Sequence, residues 1–195
     1  MKDFFKQYSY SMIKMFVNQF AISIFGFGLA MATIASGNDV VSLIASIFSI
    51  CFYLFLIYTM TWEIGAKDRI SVDVGKKPYR PHTGLLLSAI ANIPNMILAV
   101  VYLIGAPFMQ SQKWAGTMNG ALVVVSLFME GMYYGVIYTV TSPAEGAPMR
   151  PAWFMYFLII IPAMLTAWIA YYAGFKNFRL VAKYFDKKPG QGTQK

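Results

Sequence analysis

The chain has 195 residues, enough for one domain and too few for a large soluble module beside a set of membrane spans. Hydrophobic residues make up 58% of it and charged residues only 12%, against about 25% charged in an ordinary soluble domain, so lipid must face most of its surface. The net charge of +8 does not point to nucleic acid, because the cations sit in short segments flanking apolar runs and no segment is long enough to build a soluble basic face.

Residues 1–15 carry Lys2, Lys6 and Lys14 among Phe4, Phe5, Tyr8, Tyr10, Met12 and Ile13. Such an amphipathic stretch predicts an interfacial helix leading into the first span. It has no short apolar core followed by a small-residue cleavage site, so it does not read as a cleavable signal. Residues 15–38 and 40–62 contain no charge, and their lengths of 24 and 23 residues suffice to cross about 30 Å of hydrocarbon. The link at 36–39, Ser-Gly-Asn-Asp, has turn chemistry and predicts a tight antiparallel hairpin. Spans are expected at about 16–36, 40–62, 84–107, 117–141 and 152–175. The fold class is thus an all-α membrane protein, a polytopic helical bundle of about five segments forming one integral membrane domain.

Residues 63–82 form the largest polar connection and hold Lys67, Arg69, Lys76, Lys77 and Arg80. The positive-inside rule places this loop and the N-terminus in the cytoplasm. Mixed charges suggest a structured surface loop, with Gly75 and Pro78 breaking any helix. It is the candidate docking place for a membrane or cytoplasmic protein partner. The third run holds Asn92, Pro94 and Asn95 near its middle, and the proline predicts a kink there. The loop 142–151 has three prolines and is expected to be irregular. The tail 176–195 is basic, amphipathic at first and disordered at its end.

Five full spans would put nine Lys/Arg inside and seven outside, hardly a bias. A re-entrant third run would leave one outside and fifteen inside, but the 24 residues of that run make a kinked full span and favour five helical segments. The sequence around Pro94 also echoes that around Pro162: Ile93-Pro94-x-Met96-Ile97-x-Ala99 against Ile161-Pro162-x-Met164-Leu165-x-Ala167.

Helical spacing exposes a polar or small stripe in every run. These are Gln19, Ser23, Gly26, Ala30 and Thr33 in the first, and Ser42, Ser46, Ser49 and Tyr53 in the second. The third has Ser88, Asn92, Asn95 and Tyr102; the fourth has Asn119, Ser126, Glu130, Tyr133, Tyr134 and Thr141; the fifth has Ala163, Ala167, Ala170 and Gly174. Lipid offers a hydroxyl or amide no partner, so these faces should turn inward and give a polar, closely packed interior. Gly131-xxx-Gly135 and Gly116-xxx-Gly120 fit the small-residue packing pattern, with contact inside the bundle preferred over a dimer face.

Glu130 is the only charge within any long apolar run, and no span holds Lys, Arg or His to pair with it. Its charge must be offset by a proton, by hydrogen bonds from Asn92, Asn95 and tyrosine hydroxyls, or by a bound cation. The expected ligand or cation site is therefore Glu130, Asn92, Asn95, Tyr133, Tyr134 and Asn119. The lone Cys51 and lone His82 cannot form a disulfide or a metal cluster, and no cofactor or catalytic group of residues is expected. Three functions remain. The chain is a transport-related or accessory membrane subunit with a polar intramembrane site, a structural or assembly protein whose stripes serve packing alone, or, less favoured, a lipid-modifying enzyme. Its compact form suits a bacterial cytoplasmic membrane, with lipid as its first partner.

Overall fold

The structure, a computed structural model, describes residues 2–34, 39–109, 111–141 and 153–178. The link at 36–38 where a hairpin turn is expected, the loop 142–151 and the tail from residue 179 lie outside them. The described residues contain no strand. They form α1 (Lys2–Ile34), α2 (Asp39–Asp73), α3 (Thr83–Ala91), α4 (Ile93–Gly105), α5 (Lys113–Glu130), α6 (Tyr134–Thr141), α7 (Met155–Leu158) and α8 (Ile160–Phe175). Short 3-10 turns at Ala106–Phe108 and Gly131–Tyr133 follow α4 and α5. Four helices, Phe4–Thr33, Val40–Asp73, Lys113–Val140 and Met155–Phe175, are long and apolar enough to cross a membrane. The pair α3–α4, bent by 56°, makes a fifth when it is counted as one span. The chain is an all-α membrane bundle.

The apolar exterior follows from lipid as solvent. Ile44, Phe48 and Phe55 on α2, Val124 and Phe128 on α5, and Leu165 and Ile169 on α8 all point outward. The interior mixes the stripes with apolar side chains such as Met15, Leu87, Leu98 and Met132. Gln19, Ser23, Ser42, Ser46, Ser49, Ser88, Asn92, Asn95, Asn119 and Ser126 are all buried, as are Ala163, Ala167 and Ala170. Hydroxyls and amides go inside here because only another helix can bond them.

The N-terminal stretch is not a separate interfacial helix but the beginning of α1, which runs unbroken into the first span. Phe4, Tyr8, Met12 and Met15, spaced by about one turn, pack onto the bundle, while Tyr10 and Ile13 stay exposed. The polar connection 63–82 is likewise helical through Asp73. Nothing before Gly75 breaks the helix, and i,i+4 pairs support it: Lys67–Glu63 at 2.7 Å and Arg69–Asp73 at 3.6 Å. Gly75 ends it. With φ +71°, this residue lets its N–H reach the Val72 carbonyl at 2.9 Å and the Lys76 N–H reach the Ser71 carbonyl at 2.9 Å, a Schellman cap.

Two later runs break more sharply than their sequences suggest. The third stops at Asn92, whose φ of −90° and ψ of 4° leave helical geometry. Pro94 follows in the first turn of α4, where its missing N–H costs nothing. Pro162 also stands in the first turn of α8, but Ile159 before it keeps right-handed helical geometry and Met155–Phe175 runs as one span, so the echoing segments differ in structure. The span expected to be continuous over 117–141 starts earlier, at Lys113, and is interrupted by the turn Gly131–Tyr133. No proline is involved. Gly131 and Gly135 weaken the helix locally, and donors from α1 and α2 take over the backbone groups that the break frees.

Close packing of α2, α3 and α8 fixes the remaining geometry. A Cβ added at Gly174 would collide with the Trp62 carbonyl, and one at Gly65 with the Tyr171 carbonyl. The stripe of small residues on α8 therefore serves contact within the bundle. Gly131 and Gly135 do the same against α1 and α2, whereas Gly120 faces open space.

Candidate functional site

Glu130 is the last residue of α5, placed where the fourth run breaks. Its side chain is buried at 4% exposure. The break is held from both sides. Ser23 Oγ and Gln19 Nε2 on α1 donate to the Met129 carbonyl at 2.7 and 3.1 Å. Ser46 Oγ on α2 donates to the Met132 carbonyl at 2.9 Å and accepts the Gly135 N–H at 2.8 Å. Tyr53 donates to Gln19 Oε1 at 3.2 Å, which orients the amide that caps Met129. A backbone that would be costly in hydrocarbon is thus satisfied by neighbouring helices.

The side chains at the break are less well served. Among the described residues, Glu130 Oε2 and the Tyr133 hydroxyl are buried without a hydrogen-bond partner. Tyr156 shares a hydrogen bond of 3.2 Å with Ser126, one turn before Glu130. The arrangement is a buried acidic group at the junction of two helices, with one carboxyl oxygen and the nearby Tyr133 hydroxyl left without partners.

The structure distributes the six predicted site residues over the two broken spans. Glu130 and Tyr133 meet at the break. Asn92 and Asn95 sit at the other broken span, where Asn92 Nδ2 donates to the Ser88 carbonyl at 2.8 Å and Asn95 Nδ2 donates to Asn92 Oδ1 at 3.0 Å. Asn95 Oδ1 has no partner among the described residues. Asn119 lies eleven residues before Glu130 on α5, about 16 Å along the helix, and donates to the Tyr102 carbonyl at 3.3 Å. Tyr134 is only half-buried and packs its ring on Phe27 of α1, centroids 5.6 Å apart, so it leaves the group.

A second polar centre lies at the far end of α2. Asp68 is 5% exposed although charged residues surround it in sequence. Its Oδ2 accepts the hydroxyls of Tyr8, on α1, and of Tyr171, on α8, the latter at 3.0 Å. Its Oδ1 accepts Lys77 Nζ at 3.1 Å, and the same ammonium lies over the Tyr8 ring, 5.5 Å from its centroid. Sequence reasoning placed Asp68 in a solvated loop. The signal that finds it is the helical continuation of the α2 stripe through Tyr53, Ile57, Thr61 and Gly65, all buried. A cavity of about 300 Å³ opens beside it, lined in part by Phe4, Lys76, Arg80 and Thr83.

No protein-family model, characterised protein or solved structure matches the chain.

Proposed function

We propose that this chain is a small transport-related or accessory membrane subunit that takes a cation, a proton or a protonated solute at Glu130. One observation carries the reading: a buried carboxyl oxygen and a buried phenol hydroxyl stand unpartnered at the break between two half-helices. Discontinuous helices near midplane are the places where transporters build solute and ion sites, because freed backbone groups and polar side chains converge there. The second broken span adds Asn95 with its own unpartnered oxygen. An excess of cations near the N-terminus and in 63–82 supports a cytoplasmic position for both, in a bacterial cytoplasmic membrane. The exposed turn 74–82 is then the place for a protein partner.

The reading as a structural or assembly protein has its own support. Gln19, Ser23 and Ser46 spend their hydrogen bonds on backbone groups, which is packing work. Thermal stability of the detergent-purified protein separates the two readings. Wild type and Glu130→Gln are compared across pH and a panel of monovalent and divalent cations. Anything bound only by the folded state raises its apparent stability, by about 2.7 kcal/mol at a hundredfold excess over Kd. A shift in wild type that the variant lacks supports the site. Identical behaviour under every condition leaves the packing role alone.

A further inference from the structure

The cavity beside Asp68 plays no part in the intramembrane reading and stands independently of it. It lies between the beginnings of α1 and α3, the end of α2 and the turn after it, and α8. We infer that it is a binding site for a phosphate ester, held at its rim by Lys76 and Arg80.

Charge bookkeeping at this end of the bundle leads there. Glu63 pairs with Lys67, Asp73 with Arg69 and Asp68 with Lys77. Every carboxylate on this stretch of α2 has its cation. Lys76 and Arg80 also line the cavity, and the ion pairs made by Glu63, Asp68 and Asp73 engage neither of them. Asp68 forms the wall between them without acting as a free anion. Two tyrosine hydroxyls and the Lys77 ammonium already use its oxygens. Along the lining, the cations Lys76, Lys77 and Arg80 outnumber the carboxylate of Asp68, so positive charge is in excess there.

The backbone fixes those cations in place. The left-handed conformation of Gly75 reverses the chain directly after α2 and turns Lys76 and Lys77 back toward Asp68. Pro78 restricts the next step, and the Tyr79 ring packs on Phe175 with centroids 4.2 Å apart, which anchors the segment carrying Arg80. Arginine with a neighbouring lysine suits phosphate, since the guanidinium offers paired donors and the ammonium a point charge. A volume of about 300 Å³ admits a phosphate with a small alcohol on it.

Depth allows two sources for that phosphate. The uncharged run of α2 ends at Trp62, an aromatic suited to the membrane interface, and Asp68 lies six residues further, about 9 Å along the helix, toward the headgroup side. A phospholipid headgroup could enter from the side, and a soluble phosphate ester from the water. The chemistry recognised is the same.

The experiment measures thermal stability of the full chain in detergent while titrating phosphatidylglycerol, diacylglycerol of matched chains and glycerol 3-phosphate. Wild type is compared with Lys76→Gln/Arg80→Gln and with Lys14→Gln/Lys113→Gln, which removes the same charge outside the cavity. The expected result is saturable stabilisation of wild type and of the control by phosphatidylglycerol, at least tenfold weaker in the cavity variant and absent with diacylglycerol. Stabilisation by glycerol 3-phosphate as well identifies a site open to soluble esters; none from it identifies a lipid headgroup site. Equal responses in all three proteins, or an equal shift from diacylglycerol, overturn the proposal. Lys76→Arg/Arg80→Lys keeps both charges and must retain the response. Should the neutral variant fail to fold, native mass spectrometry of wild type decides. A bound phospholipid displaced by excess soluble ester or by a second phospholipid supports the site, and the absence of any phosphate-bearing adduct overturns it.

Discussion

The hydroxyl of Tyr8, near the start of α1, donates a hydrogen bond to Oδ2 of Asp68, near the end of α2, sixty residues away in sequence. Tyr171 on α8 donates to the same oxygen, and Lys77 binds the other. One carboxylate therefore ties three spans and a turn together at one edge of the bundle. Tyr8→Phe and Tyr171→Phe should each lower stability by about 1–2 kcal/mol, the scale of a hydrogen bond to a charged acceptor. Asp68→Ala should cost about 3 kcal/mol, because two buried hydroxyls and an ammonium lose their acceptor together. The figure stays at the low end because Lys77 is 32% exposed and water takes over part of its solvation. Reversible unfolding in mixed micelles measures these values. A cost for Asp68→Ala no greater than for the exposed Lys113→Ala would remove Asp68 as the tie.

Ser46 makes a different kind of bond from Ser49, three residues further along the same helix. Ser46 Oγ serves the Met132 carbonyl and the Gly135 N–H across the break in the fourth run, while Ser49 Oγ returns to the Ala45 carbonyl of its own helix. Ser46→Ala should therefore cost about 2 kcal/mol, leaving two buried backbone groups unpaired. Ser49→Ala should cost under about 0.5 kcal/mol, because that carbonyl keeps its helical partner. Equal costs would mean that the break holds itself together.

The inward stripes were legible because a polar residue recurring every three or four positions in apolar sequence has only one energetically acceptable direction, as Ser42, Ser46, Ser49 and Tyr53 illustrate. The interruption after Glu130 was not legible. A glycine-flanked helix with no proline looks continuous, and what stabilises the break lies on α1 and α2, more than eighty residues upstream. Asp68 was hidden for a related reason. Its neighbours Lys67 and Arg69 are solvent-facing, and its burial depends on Tyr8 and Tyr171, which local sequence cannot bring to it. Asn119 shows what a shared helical face leaves open. Sharing a helical face with Glu130 says nothing about distance along the helix.

Gly174 and Gly28 provide the sharpest test of how α2 and α8 are packed. Both lie inside helices, where replacing glycine by alanine ordinarily stabilises by about 1 kcal/mol through reduced backbone freedom in the unfolded chain and better helix propensity. Around Gly28 there is nothing within 4 Å for a Cβ to meet, so Gly28→Ala should show that gain. At Gly174 the added carbon would meet the Trp62 backbone, which cannot rotate away as a side chain can. The helices would have to separate, and α8 would carry Tyr171 away from Asp68. Gly174→Ala should destabilise by about 3 kcal/mol, the upper range of overpacking in a close-packed interior. Combined with Tyr171→Phe, its cost should fall short of the sum, because the first substitution already weakens the bond that the second removes. If Gly174→Ala instead matched Gly28→Ala in sign and size, α2 and α8 would not be in backbone contact, and the support beneath the Asp68 cavity would have to come from elsewhere.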